Sequence, residues 1–201
     1  MKITILLLAA GASRRMGRPK QLLPWGNSTL LGHAIETAIS CQSDQVFVVL
    51  GAGADTICES LEIDGFEVII NEEWAEGIGA TIRRGISHVS SLHPVPDAVL
   101  IMLADQPLIG KEHLENLMAL FKKEEKRIVC TEYVGKLGVP AVFPRRFFPD
   151  LARLTGDHGG GKLIAAHAEE ALGIPAVDKV ADLDTPQDYL SLTKTHQKPD
   201  S

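Results

Sequence analysis

The chain has 201 residues, of which 45% are hydrophobic and 23% charged, the composition of a folded globular protein rather than a disordered one. A formal net charge of −6 argues against nucleic-acid binding, because nucleic-acid polymers are held by basic surfaces that neutralise their phosphates. Three scattered cysteines fit no metal-binding spacing, and no apolar run approaches the roughly 20 residues of a membrane-spanning helix. We therefore expect one cytoplasmic domain at residues 1–194, a frayed tail at residues 195–201, and no nucleic-acid or membrane partner.

Short apolar runs alternate with longer segments of helical periodicity, a pattern typical of βα units around a mainly parallel sheet. Several runs are apolar throughout, which indicates strands covered by helices on both faces. The predicted strands are residues 2–9, 45–50, 66–70, 98–104, 127–131 and 139–143, with a weaker one at 174–177. The predicted helices are residues 30–40, 79–89, 111–123, 146–154, 162–172 and 187–193. We expect Thr185 to be the N-cap and Pro186 the first residue of the last helix.

The first apolar run has a second interpretation. It is followed by Ala10-Gly11-Ala12, which resembles the cleavage site of a signal peptide. Only one basic residue, Lys2, precedes the run, and the run is short for such a signal. The buried strand is therefore the favoured interpretation.

The loop after the first strand combines small residues with positive charge. Ala9, Ala10 and Gly11 are followed by four cations within seven residues, namely Arg14, Arg15, Arg18 and Lys20. Ligands of open α/β sheets bind beyond the carboxyl ends of strands, and small residues there let backbone N–H groups approach a polyphosphate. The loop lacks both the dinucleotide-binding and the Walker A patterns. It predicts a different kind of phosphate-binding loop.

A second glycine-rich run, at residues 156–162, matches the spacing G-x-x-x-x-G-K. Leu163 occupies the Ser/Thr position that would bind Mg²⁺ in a Walker A loop, and the run follows a predicted helix rather than a strand. We reject the Walker A interpretation. The run either binds an anion through backbone amides and Lys162 or simply connects two helices.

Two acidic positions suit one metal ion. Asp105 follows the apolar strand at residues 98–104, and Asp182 and Asp184 lie in a segment near the end of the chain. Each could instead cap a turn or a helix. Two carboxylates ~4 Å apart repel by roughly 4 kcal/mol at an effective dielectric of ~20, so a divalent ion between them is favoured. Mg²⁺ binds one or two carboxylates plus substrate phosphates, so Asp105 and Asp184 suit Mg²⁺, with Asp182 as the alternative second ligand.

Three motifs together, LAAGASRRMGRPK, LADQP and DLDTPQD, resemble the MobA-like NTP transferases, and specifically their molybdenum cofactor cytidylyltransferase branch. The resemblance implies a three-layer α/β/α sandwich with a Rossmann-like, mostly parallel sheet of the nucleotide-diphospho-sugar transferase type. It also implies Mg²⁺-dependent transfer of CMP from CTP to the phosphate of molybdopterin-type cofactor, with release of pyrophosphate and delivery of the product to a molybdoenzyme. Ala10 resembles the cytidylyl branch, since guanylyl relatives usually carry glycine there.

The same resemblance implies roles for individual residues. Arg15, Lys20 and Asp105 would act in catalysis, and Asp105 with Asp184 would hold the metal. The implied nucleotide site consists of Ala9, Ala10, Gly11, Arg15, Lys20, Gly77, Gly79 and Thr81. The implied second-substrate loop consists of Gly156, Asp157, Gly159 and Lys162. One departure is Val139, which stands where many members have a histidine that orients the second substrate.

Two other functions fit the same residues. One is a nucleotidyltransferase of this fold with another NTP or acceptor, such as guanylyl transfer to the cofactor or transfer to a sugar or isoprenoid phosphate. The other is a non-catalytic carrier of a bound cofactor. The loop cations and both acidic positions favour catalysis, because a carrier needs no metal aligned on an α-phosphate.

Overall fold

We describe the fold from a computed structural model, which describes residues 1–176 and 183–196. Its strands are β1 (Ile3–Ala9), β2 (Pro24–Trp25), β3 (Ser28–Thr29), β4 (Gln45–Leu50), β5 (Glu67–Ile70), β6 (Ala98–Leu103), β7 (Ile128–Tyr133), β8 (Lys136–Pro144) and β9 (Ala171–Pro175). Its α-helices are α1 (Leu30–Ile39), α2 (Ala54–Glu59), α3 (Ile78–Ser91), α4 (Lys111–Lys123), α5 (Phe148–Leu151), α6 (Gly160–Ala166) and α7 (Pro186–His196).

The main sheet has seven strands in the order β5-β4-β1-β6-β8-β7-β9. The pairs β4–β5, β1–β4, β1–β6 and β7–β9 are parallel, whereas β8 runs antiparallel to both β6 and β7. The turn between β7 and β8 contains Gly135 at a φ of 72°, a left-handed conformation that favours glycine. Because four of the six strand pairs are parallel, the sheet is mostly parallel, as the sequence predicts.

Helices cover both faces of this sheet, which explains why β1 is apolar except for the buried Thr4. Alternate residues of a strand point to opposite faces. Ile5 and Leu7 pack in the cluster that contains Leu31 and Leu117 of α1 and α4. Leu6 and Leu8 pack in the second cluster, which contains Ile82 and Ile86 of α3 together with buried residues of α5 and α6. The predicted three-layer α/β fold is confirmed.

Several helices and strands have bounds in the structure that differ from the predicted ones. The helix expected at residues 146–154 is only α5, preceded by a 3-10 turn at Arg145–Phe147, because Pro149 is tolerated in the first turn of a helix but not in its interior. The helix expected at residues 162–172 ends at Ala166, since residues 171–175 pair in parallel with β7 as β9. Helix α2 and the small hairpin β2–β3 were not predicted; each is shorter than the windows in which periodicity is visible.

The end of the chain is described in part. Thr185 caps α7 as expected: its hydroxyl accepts from the N–H of Asp188 (3.2 Å), and the Asp188 carboxylate accepts from the N–H of Thr185 (2.8 Å). Helix α7 continues to His196, so the first two residues of the expected tail are helical. Residues 197–201, Asp182, and Val177 of the weaker strand lie outside the described residues. None of the helices in residues 1–176 and 183–196 has the length and apolar character needed to cross a membrane.

Candidate active site

The candidate site lies where β1 and β6 end. These strands are parallel neighbours, with Leu8 opposite Leu103, and the N–H of Ala104 donates to the carbonyl of Leu8 (3.2 Å). Because the carboxyl ends of parallel strands share one edge of the sheet, the loop after β1 and Asp105 after β6 emerge side by side.

Lys20 is the centre of an ion-pair cluster at this edge. Its Nζ donates to Oδ2 of Asp105 (2.6 Å), the carbonyl of Leu183 (3.0 Å) and Oδ1 of Asp184 (3.2 Å). Arg15 donates to the other carboxylate oxygen of Asp184 (2.9 Å). The four predicted side chains, which span most of the chain length, therefore converge on one point.

Burial and charge act in opposite directions on Lys20. Burial lowers the pKa of its ammonium, but the charges and hydrogen bonds of Asp105 and then of Asp184 outweigh that effect, so the pKa of Lys20 is raised above its ordinary value. Lys20 is therefore a cation at neutral pH. An ammonium has three N–H donors, and three protein oxygens accept from this one.

Two adjoining cavities open beside the cluster and share Gly11, Lys20, Trp74, Gly77 and Asp157. The first, of about 300 Å³, has apolar walls and is also lined by Leu8, Ala9, Ala10, Gln21, Ile78, Thr81, Leu103, Ala104 and Asp105. The second, of about 410 Å³, is also lined by Ala12, Ser13, Arg14, Arg15, Met16, Ala75 and Asp184. The cleft thus has an apolar half and a cationic half, and their sizes lie in the range of small-molecule sites.

Gly11 lies at the junction of the two cavities. A Cβ added to Gly11 would meet no protein atom within 4 Å, and the residue has no left-handed φ. Neither packing nor backbone conformation requires a glycine here. The absent side chain leaves room for a ligand to approach the backbone closely.

The segment around α3's first turn contacts the second glycine-rich loop directly. The N–H of Gly79 donates to the carbonyl of Gly156 (2.9 Å), and a Cβ on Gly79 would lie 2.6 Å from the backbone nitrogen of Thr155. Gly77 has a φ of 108°, and a Cβ there would lie 2.5 Å from the carbonyl oxygen of Gly156. These glycines let the predicted nucleotide segment and the predicted second-substrate loop meet backbone to backbone.

Not every predicted residue lines the two cavities. Thr81 lines the first and accepts from the side-chain amide of Asn71 (3.2 Å). Gly79 lines neither cavity, and its N–H donates to the carbonyl of Gly156. Of the second-substrate loop, Asp157 lines both cavities. Gly156, Gly159 and Lys162 line neither, and the Lys162 ammonium lies 2.8 Å from Nε2 of His158 rather than at the ion-pair cluster.

The departure at Val139 also has a structural counterpart. A Cβ added to Gly160, the first residue of α6, would lie 2.9 Å from Cγ1 of Val139. The valine therefore packs against the start of the helix that follows the second glycine-rich loop.

The carboxylates fit a hard divalent ion. Within residues 1–176 and 183–196, no group of three or more His, Cys, Asp or Glu side chains gathers as a metal site. Asp105 and Asp184 offer two carboxylates that both contact Lys20, so their oxygens lie close together. Oxygen donors from one or two carboxylates, completed by substrate phosphates, are the ligand set that Mg²⁺ prefers.

Residues 5–171 match a family model described as the MobA-like NTP transferase domain. The chain belongs to this family. It is 35% identical over 166 residues to nicotine blue oxidoreductase of Paenarthrobacter nicotinovorans, covering 78% of each chain. It is 29% identical over 201 residues to purine catabolism protein PucB of Bacillus subtilis (strain 168), covering 92% of each.

A solved structure shares this MobA-like fold along the whole chain. The manganese complex of Rv0371c from Mycobacterium tuberculosis H37Rv is 30% identical, with a TM-score of 0.82, and covers 97% of this chain and 100% of that one. The family assignment made from the three motifs is confirmed. The family model ends at residue 171, before Asp184, whereas the structure of this chain places that carboxylate 3.2 Å from the ammonium of Lys20.

The sequence predictions assigned no site role to three contributors to this MobA-like site. The carbonyl of Leu183 binds Lys20, Trp74 lines both cavities, and the buried amide of Gln21 lines the first. A backbone carbonyl leaves no trace in residue type. Trp74 and Gln21 lie beside predicted site segments, but only their tertiary contacts distinguish them from ordinary packing residues.

Proposed function

We propose that this protein is a divalent-metal-dependent nucleotidyltransferase, acting as one domain over residues 1–194. It would move a nucleoside monophosphate from an NTP to a phosphorylated small molecule and release pyrophosphate. The leading substrates are CTP and molybdopterin-type molybdenum cofactor. The observation that carries the proposal is the contact of one ammonium, Lys20, with Asp105 and Asp184 beside a cleft that has an apolar and a cationic half.

The two halves of the cleft suit the two ends of an NTP. The apolar first cavity suits the base and sugar, with Ala9, Ala10 and Thr81 among its walls. The second cavity suits the triphosphate, because Arg14 and Arg15 line it and guanidinium groups bind phosphate oxygens in bidentate fashion. Gly11, at the junction, leaves room for the backbone to contact the phosphates.

The reaction is an in-line displacement at the α-phosphorus. An oxygen of the acceptor phosphate forms a new P–O bond, the bond between the α-phosphorus and its bridging oxygen breaks, and pyrophosphate leaves with the electron pair. The acceptor needs little activation, because a phosphate monoester has its second pKa near 6 and is largely a dianion at neutral pH. Positioning and charge neutralisation therefore supply most of the catalysis.

Arg15 and Lys20 would neutralise the charge that develops on the departing pyrophosphate. All three donors of Lys20 bind protein oxygens, so contact with a phosphate requires it to exchange one of them for the ligand. Asp105 and Asp184 would hold Mg²⁺, which when bound neutralises charge on phosphate oxygens. The manganese complex of the similar protein Rv0371c supports the use of a divalent ion, without specifying its ligands.

The preference for CTP rests on Ala10. Ala10 is 4% exposed and lines the first cavity, and a Cβ added to Gly51 would lie 2.9 Å from its methyl carbon. The methyl group therefore packs beside Gly51, and the preference for the pyrimidine base follows from the resemblance of Ala10 to the cytidylyl branch. The acceptor is assigned by the motif resemblance alone, and a molybdoenzyme would receive the product.

A pyrophosphate-release assay with CTP, GTP and ATP, each with and without molybdopterin cofactor, tests the proposal. We expect release only with CTP plus the cofactor and a divalent ion. Release with another NTP, or with a sugar or isoprenoid phosphate in place of the cofactor, would reassign the substrates. Cofactor binding without turnover would identify a carrier.

A second assay tests this protein for oxidoreductase activity, because one relative is named nicotine blue oxidoreductase. Oxidation of NADH or NADPH is followed by absorbance under the same conditions, with flavin and quinone-type acceptors. Turnover there in the absence of any NTP-dependent pyrophosphate release would overturn the transferase proposal.

A further inference from the structure

Gln21 is a buried side chain whose amide is fully hydrogen-bonded to the loop after β1. Its Nε2 donates to the carbonyl oxygens of Ala9 (2.8 Å) and Gly11 (2.9 Å), and its Oε1 accepts from the hydroxyl of Ser13 (3.3 Å). The residue is 3% exposed, yet it lines the first cavity. A buried amide is costly unless its donors and acceptor are satisfied, so these bonds hold Gln21 and the loop in one arrangement.

The bonds also set the direction of the loop's peptide groups. In a trans peptide the carbonyl and the following N–H point in opposite directions. Because the carbonyls of Ala9 and Gly11 point at Gln21, the N–H groups of Ala10 and Ala12 point away from it. Backbone N–H groups turned the same way form the kind of concave donor set that binds phosphate oxygens.

Ser13 extends this arrangement to the acidic side of the cleft. It is the one non-glycine residue with positive φ in the described part of the chain, at 51°, and its hydroxyl accepts from the N–H of Lys20 (3.0 Å) while donating to Gln21. Lys20 and Gln21 lie on one 3-10 turn, Lys20–Leu22. That turn sends one side chain to the carboxylates and the next to the loop.

We propose that Gln21 is the positioning residue that orients the phosphate-binding loop for the NTP. The inference rests on the proposed nucleotidyl transfer and adds a residue that contacts neither Asp105 nor Asp184 in the hydrogen bonds described for it. Gln21 acts through the backbone of residues 9–13. Its loss impairs binding of the triphosphate, whereas the acceptor's binding is unchanged.

The test compares Gln21→Met, which keeps the length of the side chain but removes both donors, with Gln21→Glu, which places a charge beside two carbonyl oxygens. Ile86→Val, a core substitution in α3 that lines neither cavity, controls for a general loss of stability. The measurements are CTP affinity by calorimetry, the separate KM values for CTP and for the acceptor, and the melting temperature. If both Gln21 variants fail to fold, Ser13→Ala takes their place in the same measurements, because it removes only the hydroxyl that joins Gln21 to the N–H of Lys20.

We expect Gln21→Met to weaken CTP binding and raise its KM about tenfold, and Gln21→Glu to do so more strongly, with the acceptor KM within about twofold. Ile86→Val should lower only the melting temperature. If the Gln21→Met protein loses stability but binds CTP like the wild type, Gln21 has a merely structural role and the inference is wrong. If wild-type protein binds none of CTP, GTP and ATP, the proposed function fails first and the inference falls with it.

Discussion

Replacing Lys20 with methionine would separate its role as a counter-ion from its role in turnover. The ammonium contacts Asp105 at 2.6 Å and Asp184 at 3.2 Å, so its removal leaves two carboxylates close together. Two such charges ~4 Å apart repel by roughly 4 kcal/mol at an effective dielectric of ~20. Arg15 still neutralises Asp184, whose side chain is 40% exposed, so screening reduces the cost to about 1–2 kcal/mol.

A divalent ion should reverse this loss of stability. In the Lys20→Met protein the two carboxylates have no competing ammonium, so Mn²⁺ binds them more tightly than in the wild type. An ion present at about 100 times its Kd stabilises the folded state by about 2.7 kcal/mol. We therefore expect the variant to melt below the wild type in EDTA and to show the larger rise in melting temperature with Mn²⁺.

Thermal unfolding in EDTA, Mg²⁺ and Mn²⁺ measures both effects without any substrate. Lys111→Met is the matched control, because Lys111 pairs with Glu115 at 3.8 Å on an exposed helix surface. That control should change little in either condition. Equal stability of Lys20→Met and wild type in EDTA, together with equal shifts in Mn²⁺, would refute the idea that Asp105 and Asp184 form one cation-binding pair.

Three further results are expected. Asp105→Asn should slow pyrophosphate release by about 100-fold or more, because the metal loses a charged ligand, while Asp97→Asn at the opposite end of the sheet leaves the rate unchanged. In Gly79→Ala the new Cβ would lie 2.6 Å from the backbone nitrogen of Thr155, so the second glycine-rich loop must shift. The acceptor KM should then rise and proteolysis of that loop should quicken. Unaltered kinetics would exclude a coupling between Gly79 and acceptor binding. Burial raises the pKa of the Cys41 and Cys130 thiols from 9.0 to about 11. Between these pH values the thiols are ionised in the unfolded chain but still protonated in the folded protein. The free energy of unfolding should therefore fall from pH 9.0 to about 11, by about 1.4 kcal/mol per thiol and pH unit. Denaturant melts of the Cys41→Ala/Cys130→Ala double variant should show a flatter pH profile across that window.

The amino-acid sequence determined the layered α/β fold and one half of the site, because the signals involved are local. The largely apolar runs of β1, β4 and β6 require cover on both faces, and the 3.6-residue stripes of α1, α3 and α4 supply it. Strand β1 followed by small residues and cations predicted a phosphate-binding loop, since a strand's carboxyl end is where such a sheet binds ligands.

Only the tertiary structure decided how distant segments meet. Antiparallel β8 lies between β6 and β7, and residues 171–175 form a strand by pairing with β7. Hydrophobic periodicity predicts neither feature, because it contains no information about which strands pair. The contact of Lys20 with Asp184, 164 positions later in the chain, depends on the whole sheet order and on the path that leads into α7. Hydrogen bonds such as those of Gln21 arise from burial, which packing sets; residue type alone therefore left this glutamine indistinguishable from a surface one.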